Sequence, residues 1–480
     1  MVDDSNFDLS CAIRITSFAA GTRPLTAMAD TFPFIVTTLD DRSGDGKHKS
    51  VRSHVMRGKN LKRRPPRPPS CIGAHPGDAN PSPSVTSVPA GVCEVSYKMR
   101  LSTELDQPTL EMMRQLRRAI GPPDLGLAQD QSELSWLEPI KSDPACLHFT
   151  MFVARMWKDS IAERGKRNTI SQAPLVSYGK ALNLLQQRFA SPTSDLSTSD
   201  SSLLVVTGLV MGSLALRDFK TALNHVKGLH QMMALRGGLS TLNGNKQLQY
   251  KICRADISVA LSIGCDVLFF DDTDISWEYY VASSDKRDLS KPTKTLTPLK
   301  EHIVSVPEEL RVIWDDLSEV VRSINIAAQC ARSIDFELYQ EAMISIHYRL
   351  IKLKLDLETF DELVWLTLLG FCSGIFLQWR GVKFRFKHLA RQLIIALCHV
   401  RLDGEMSMSS YRILLWSISV SAISVLDEQE ATSLQPVLKK IVRRMGVTSW
   451  SEIQTILKMF PWIKDHHSAH ARKFIEVALA

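Results

Sequence analysis

From residue 105 onward, apolar side chains recur at spacings of three and four residues, and this periodicity constrains the fold more than any other feature. Such spacings put apolar side chains on one face of an α-helix, which then packs against a core. A short stretch at 35–38 is the one candidate for a β-strand. The sequence therefore predicts an all-α fold, with residues 105–480 forming a multi-helix array or bundle.

Capping residues and helix breakers divide this region into separate helices. Asp143 is a capping residue followed by proline, and Asp218 caps a helix after a short break at Arg217. Gly237 supplies the left-handed residue that ends this helix, so a helical hairpin is predicted. The polar stretch 271–300 is predicted to be a long loop. Helices are predicted at about 103–120, 144–164, 177–189, 203–216, 218–236, 308–331, 335–356, 360–379, 384–400, 409–426 and 433–445.

The first 104 residues differ in composition from the rest of the chain. Between residues 63 and 92 the chain is dense in Pro, Ser and Gly. Such a segment buries too little apolar surface to offset the conformational entropy lost on folding. We predict a disordered N-terminal head at 1–104, basic and Pro-rich, followed by one helical domain at 105–480.

Positive charge is concentrated in this head. Of the 58 Lys and Arg residues, nine lie in 47–67, a stretch that contains no Asp or Glu. The rest of the chain therefore has 49 basic and 51 acidic residues. A nuclear-import signal and a solvated charge run are both open interpretations. Contact with DNA phosphates is less favoured, and no aromatic residue interleaves to stack on bases. The candidate residues are Lys47, Lys49, Arg52, Arg57, Lys59, Lys62, Arg63, Arg64 and Arg67.

The nine cysteines are widely spaced, and none forms a C-x-x-C pair. The first residues include three Asp and no apolar segment typical of a secretory signal. Free thiols in a reducing compartment are therefore expected.

Residues 143–270 resemble the fungal-specific transcription factor domain family. The strongest part of the resemblance lies between His225 and Leu239, and a weaker echo lies in the head around 34–57. The residues that carry the resemblance are Asp143, Pro144, Leu147, His148, Lys180, Ala181, Leu182, Asp218, Ala222, His225, Gly228, Leu229, Met232, Arg236, Gly237, Gly238, Leu239, Lys251, Ile252, Arg254, Ala255 and Asp256.

The resemblance implies an α-helical body, a nuclear location and a role in regulating transcription. The family's zinc cluster needs six thiolates, some of them in C-x-x-C pairs, and this sequence has no such pattern. Either this member acts without contacting DNA, or a zinc-cluster segment is missing from the sequence. We therefore expect protein partners in transcription, including a DNA-binding factor, and direct DNA binding is not expected.

The motif residues between 143 and 238 are predicted to be structural. Gly228 lies inside a predicted helix, where glycine suggests a close helix crossing, and Gly208 and Gly212 are its predicted partners. Arg236 is predicted to bind carbonyl groups at the helix end. A ligand-binding role for His225 is the less favoured alternative.

Three other patterns have a functional interpretation beside a structural one. Cys372 lies in a G-x-C-x-G pattern that resembles a nucleophile elbow, but a buried helix is favoured. The uncharged stretch 363–379 is predicted to be a core helix rather than a membrane span. His466, His467 and His470 are predicted to lie in a solvated tail rather than to bind a metal.

We therefore expect a nuclear, non-enzymatic regulator of transcription, without a cofactor, a metal or a membrane partner. A helical scaffold unrelated to transcription and a hydrolase built on Cys372 are the alternatives. A continuous helix at 340–400 would exclude the hydrolase.

Overall fold

The computed structural model describes residues 106–119, 123, 125–128, 138–162, 172–190, 195–270, 307–353, 360–379, 384–400 and 406–479. The head predicted at 1–104, with its basic run and its strand candidate, lies outside these residues. The loop predicted at 271–300 also lies outside them.

Within these ranges the chain forms sixteen α-helices and almost no strand, which confirms the all-α prediction. The helices are α1 (Gln107–Ala119), α2 (Glu138–Ser142), α3 (Pro144–Ala162), α4 (Gln172–Ala190), α5 (Asp200–Ala215), α6 (Phe219–Arg236), α7 (Lys246–Ile263), α8 (Glu308–Gln329), α9 (Phe336–Lys352), α10 (Phe360–Phe376), α11 (Lys387–His399), α12 (Met408–Ser424), α13 (Glu428–Ser433), α14 (Gln435–Met445), α15 (Trp450–Leu457) and α16 (Lys464–Leu479).

Two very short strands were not predicted. Strand β1 (Leu127–Ala128) pairs in parallel with β2 (Ile334–Asp335), which directly precedes α9. The amide of Ile334 also donates to the carbonyl of Gly126 at 3.0 Å. The pairing therefore fixes the segment after α1 against the start of α9.

The predicted hairpin of α5 and α6 is confirmed, and local sequence accounts for both ends of α6. The side chain of Asp218 accepts a hydrogen bond from the amide of Thr221 at 3.1 Å. Gly237 ends the helix with a φ of +105°, which L side chains rarely adopt. The amide of Gly238 donates to the carbonyl of Met233 at 2.9 Å, which satisfies an end carbonyl of the helix.

Several predicted boundaries were wrong. The helix predicted at 433–445 corresponds to α14, which has Pro436 in its first turn, whereas the short helix α13 that precedes it across Leu434 was not predicted. Asn245 caps α7 and Gly264 ends it, although no separate helix was predicted there. The C-terminal residues form α15 and α16, so the tail carrying His467 is a packed helix.

Aromatic residues from three elements form the centre of the C-terminal half. Trp416 on α12 stacks on Phe460 with ring centroids 5.3 Å apart. Trp314 on α8 packs edge-on against the ring of Trp416. All three side chains are completely buried. Helix α10 is buried along almost its whole length, as predicted for a core helix. None of the helices described has the length and apolar character needed to cross a membrane.

The predicted crossing at Gly228 was wrong. A methyl group added at Gly228 or at Gly212 would meet no atom within 4 Å. A methyl group at Gly208 would instead overlap the ring of Phe149 on α3. The close glycine crossing lies elsewhere, where a methyl group at Gly374 on α10 would lie 2.6 Å from Oγ of Ser424 on α12.

These positions give a paired prediction for glycine-to-alanine substitutions. Gly228→Ala should stabilise the protein by about 0.5–1 kcal/mol, because alanine lowers the entropic cost of helix formation and meets no neighbour. Gly374→Ala should destabilise it by about 1–3 kcal/mol, because the methyl group overpacks a buried crossing. Urea unfolding of the two variants measures both changes. A loss of stability in Gly228→Ala would restore the crossing that the sequence suggested.

Candidate functional site

Asp143 and Arg188 form a buried ion pair that connects three helices. Oδ1 of Asp143 accepts the amides of Ala145 and Cys146 at the start of α3, at 2.8 and 3.2 Å. Its Oδ2 lies 2.8 Å from Nη2 of Arg188 on α4. Arg188 also donates to Oγ of Ser202 on α5, at 3.0 Å. Asp143 therefore caps one helix and neutralises a cation from a second.

Other residues of the resemblance, on α3 and α6, are also buried or form hydrogen bonds within the fold. Leu229 is completely buried, and His148 is buried in α3. Burial lowers the pKa of His225, and the nearby Asp218 opposes this shift. The side chain of Arg236 binds a carbonyl, as predicted, but that of Thr198, at 3.1 Å, and it also pairs with Asp200 at 2.5 Å. Arg236 therefore connects the end of α6 to the start of α5.

Cys372 has no nucleophile elbow. It lies in the middle of the continuous helix α10 and is completely buried, and burial raises the pKa of its thiol. An elbow places the nucleophile on an exposed turn between a strand and a helix. The nucleophile elbow suggested by the sequence pattern around Cys372 is therefore wrong.

The histidines near the C-terminus lie on α16 rather than in a solvated tail. His467 is 2% exposed, and its Nδ1 accepts the amide of Ile463 at 3.0 Å. Its ring packs on Phe371, with centroids 4.9 Å apart. Burial, followed by the neighbouring His466, holds the pKa of His467 well below its usual range. Across the described part of the chain, no group of three or more metal-ligating side chains is placed to hold a metal ion.

Two charged side chains of helix α7 that belong to the resemblance, Arg254 and Asp256, have different surroundings. Asp256 accepts the amides of Leu268 and Phe269 at 3.0 and 3.1 Å, and the hydroxyl of Tyr348 at 3.0 Å. Burial raises the pKa of Asp256 to about 6, against the effect of these donors. Asp256 therefore ties the segment after α7 to α9.

Arg254, also on α7, lies in a buried polar cluster with residues of α9 and α10. Its guanidinium carbon is 4.8 Å from the ring centroid of Phe376 at the end of α10. The ring of His347 lies 5.3 Å from the same ring, and that of Tyr339 lies 6.0 Å from it. The hydroxyl of Tyr339 donates to the carbonyl of Ile375 at 2.9 Å. Phe376 therefore has a cation and two polar rings around it.

Two nitrogen atoms of this cluster are buried without a hydrogen-bond partner in the part of the chain that the structure describes. They are Nη2 of Arg254 and Nε2 of His347. Oγ of Ser258, one turn after Arg254 on α7, and Nε2 of Gln340, on the same face of α9 as His347, are also unpartnered. Buried polar atoms in folded proteins almost always have a partner, so four on two packed helices mark this region as a candidate binding site.

Lys251 lies one turn before Arg254 on α7, and its side chain is exposed. Burial lowers the pKa of its amine although the side chain reaches solvent, and Arg254 and Arg117 lower it further. The sequence singled out Lys251 and Arg254 only through the resemblance, and it gave no signal for His347 or Tyr339, which look like ordinary residues of an amphipathic helix.

The chain matches no model of a protein family, no curated protein and no solved structure. The nine basic residues at 47–67 lie outside the residues described, so their proposed roles stay predictions.

Proposed function

We propose that this protein is a nuclear regulator of transcription that acts through its helical body. The observation that carries the proposal is the arrangement of the resemblance residues at 143–270. Asp143, Asp218 and Arg236 cap or join α3 to α6, while Arg254 and Asp256 lie on α7, which packs against α5 and α6. Residues that carry the resemblance thus have physical roles in one set of packed helices.

The all-α fold supports the proposal, because the resemblance implies a helical body. The basic run at 47–67 supports it as well, because a chain of 53.8 kDa needs an import signal to enter the nucleus efficiently. The partners we propose are proteins of the transcription machinery, with a DNA-binding factor among them. The alternative of a helical scaffold unrelated to transcription makes the opposite prediction for location.

A reporter experiment tests location and activity together. The full chain is fused to a fluorescent protein and to a heterologous DNA-binding domain that has no import signal of its own. We expect the fusion to accumulate in the nucleus and to change transcription of a reporter with the matching site. Replacing Lys62, Arg63, Arg64 and Arg67 with Ala should abolish both effects, because the import receptor reads this positive charge.

Four exposed cations elsewhere provide the matched control, namely Lys220, Lys227, Arg443 and Arg444. Their replacement with Ala removes the same charge and should leave the fusion nuclear. A strong foreign import signal should restore the reporter response of the first variant. Exclusion of the intact fusion from the nucleus, or no reporter response from a nuclear fusion, would favour the scaffold.

A further inference from the structure

Helix α14 has a core-facing side of apolar residues and an outward side of cations. Leu438, Ile441 and Val442 are buried, and the helix contains no Asp or Glu. Its cations lie at spacings of one and four residues, which places them in one stripe along the helix. This basic stripe consists of Lys439, Lys440, Arg443 and Arg444. Like charges four residues apart on a helix repel each other, so an external anion would stabilise the stripe.

Helix α16 extends this surface beside α14. Both helices pack on α12 and on each other, and the side chain of Gln435 donates to the carbonyl of Phe474 at 2.9 Å. Their outward sides therefore lie next to each other. Lys473 is exposed on α16, and Val477, one turn further along, is 61% exposed. Together with Ala469 these two residues line a shallow depression, so cations and apolar side chains share this surface.

Three carboxylates on neighbouring elements already have other partners. Glu430 on α13 pairs with Arg385 at 2.5 Å. Glu452 accepts backbone amides at the start of α15, and Glu476 pairs with Arg472 along α16 at 2.7 Å. Four cations of the surface accordingly form no ion pair with any residue that the structure describes. They are Lys439, Arg443, Arg444 and Lys473.

The helix dipole explains only part of this charge pattern. Cations in the last turn of a helix interact favourably with its dipole, which accounts for Arg443 and Arg444. Lys439 lies before that turn and Lys473 lies on another helix, so the dipole gives no reason for either. Residues 435–479 hold eight Lys or Arg and only three Asp or Glu. Positive charge is therefore concentrated in this layer of helices.

The side chains around these cations favour a protein partner over a nucleic acid. Nucleic-acid sites usually combine cations with amide, hydroxyl or aromatic side chains that reach sugars and bases. The outward side of α14 offers none of these groups, since its one amide, that of Gln435, binds α16. Cations four residues apart match carboxylates four residues apart on a facing helix. Val477 adds apolar area that a phosphate backbone does not use.

We propose that the outward sides of α14 and α16 form a docking surface for an acidic amphipathic helix of a partner protein. Carboxylates of that helix pair with the basic stripe and with Lys473, and its apolar side chains cover Ala469 and Val477. The partner's place in transcription rests on the proposed function. Binding of an acidic helix by the purified chain is tested independently of it.

Fluorescence anisotropy with the purified full chain and labelled peptides tests the proposal. The probe repeats the sequence Glu-Leu-Ala-Gln, so that Glu and Leu form two adjacent rows on a helix. We expect the probe to bind, and to bind more weakly as the salt concentration rises. A peptide with Gln in place of Glu should lose most of the binding. A peptide with Ala in place of Leu should bind more weakly than the probe, because it buries less apolar surface.

Replacing all four cations of the basic stripe with Gln should weaken probe binding at least about fivefold, because the exposed ion pairs with the probe are lost. Val477→Ser should weaken it about 2–3-fold, because less apolar surface is buried. The matched control replaces four exposed cations on α6 and α11 with Gln and should leave probe binding unchanged. These are Lys220, Lys227, Lys387 and Arg391. Circular dichroism should show the same helix content in every variant, since the replaced side chains lie outside the core.

Four results would overturn the proposal. The first two are the absence of probe binding to the wild type, and unchanged probe binding after replacement of the basic stripe. The third is equal binding of the probe and of its Ala-for-Leu form, which would mean that charge alone is recognised. The fourth is stronger competition by a mixed-sequence DNA duplex than by unlabelled probe at about 0.15 M salt, which would make the surface a nucleic-acid site.

The reporter experiment and the peptide titration fail separately. A nuclear fusion with a reporter response, combined with no probe binding, would leave the proposed function standing and refute only the docking surface. A cytoplasmic fusion combined with probe binding would contradict the nuclear role and leave the docking surface standing.

Discussion

Replacing Asp143 with Ala should lower the free energy of unfolding by about 3–5 kcal/mol, because it leaves a buried cation without its partner. The side chains of Asp143 and Arg188 are 8% and 9% exposed, so water cannot replace the lost carboxylate. The amides of Ala145 and Cys146 lose their acceptor in the same substitution. Urea unfolding followed by far-ultraviolet circular dichroism measures the loss.

Two variants separate the ion pair from the helix cap. Asp218→Ala removes the exposed cap of α6 and should cost only about 1 kcal/mol. Asp143→Asn keeps a capping side chain but removes the charge, so its loss should lie between the other two. Equal losses in Asp143→Ala and Asp218→Ala would show that the buried pair adds nothing to the cap.

Acidification should destabilise the fold through its buried histidines. The pKa of His347 is about 4 and that of His467 is well below its usual range, in both cases chiefly because of burial. In the unfolded chain these histidines have a pKa of about 6.5, so between about pH 7 and pH 4 they bind more protons there than in the folded chain. Stability therefore falls as pH falls through this window, by about 3 kcal/mol for His347, and His467 acts in the same direction.

Asp256 has the opposite effect on stability. Burial raises its pKa to about 6, so as the pH falls the folded chain binds this proton before the unfolded chain does, and stability rises. This rise offsets roughly the loss from His347, so the net loss of stability between pH 7 and pH 4 among these three groups comes from His467. His347→Gln should reduce the pH dependence by about the contribution of one histidine, about 3 kcal/mol, because glutamine stays neutral. His399→Gln, at an exposed position, is the control. Parallel stability curves for the wild type and His347→Gln would contradict the assignment.

Most of the helices were predictable because their signals are local. Asp218, Gly237 and the apolar spacing between them define α6 without reference to the rest of the chain. Helix α13 was missed because it is only six residues long, too short for a periodic pattern. The packing of α16 was not predicted, because three histidines close together are typical of a polar tail. In the structure the ring of His467 packs against Phe371 and Trp462.

The sequence by itself determined the class of fold, the hairpin caps and the absence of a zinc-cluster pattern, because these depend on residues close together along the chain. Only the tertiary structure decided which glycine lies at a helix crossing, since Gly228 and Gly374 differ only in what packs against them. It also placed Arg254 and His347 beside the same aromatic ring, that of Phe376. Those residues are far apart in sequence. Each has a buried nitrogen atom without a hydrogen-bond partner among the residues described, which only the packing of the helices around it could reveal.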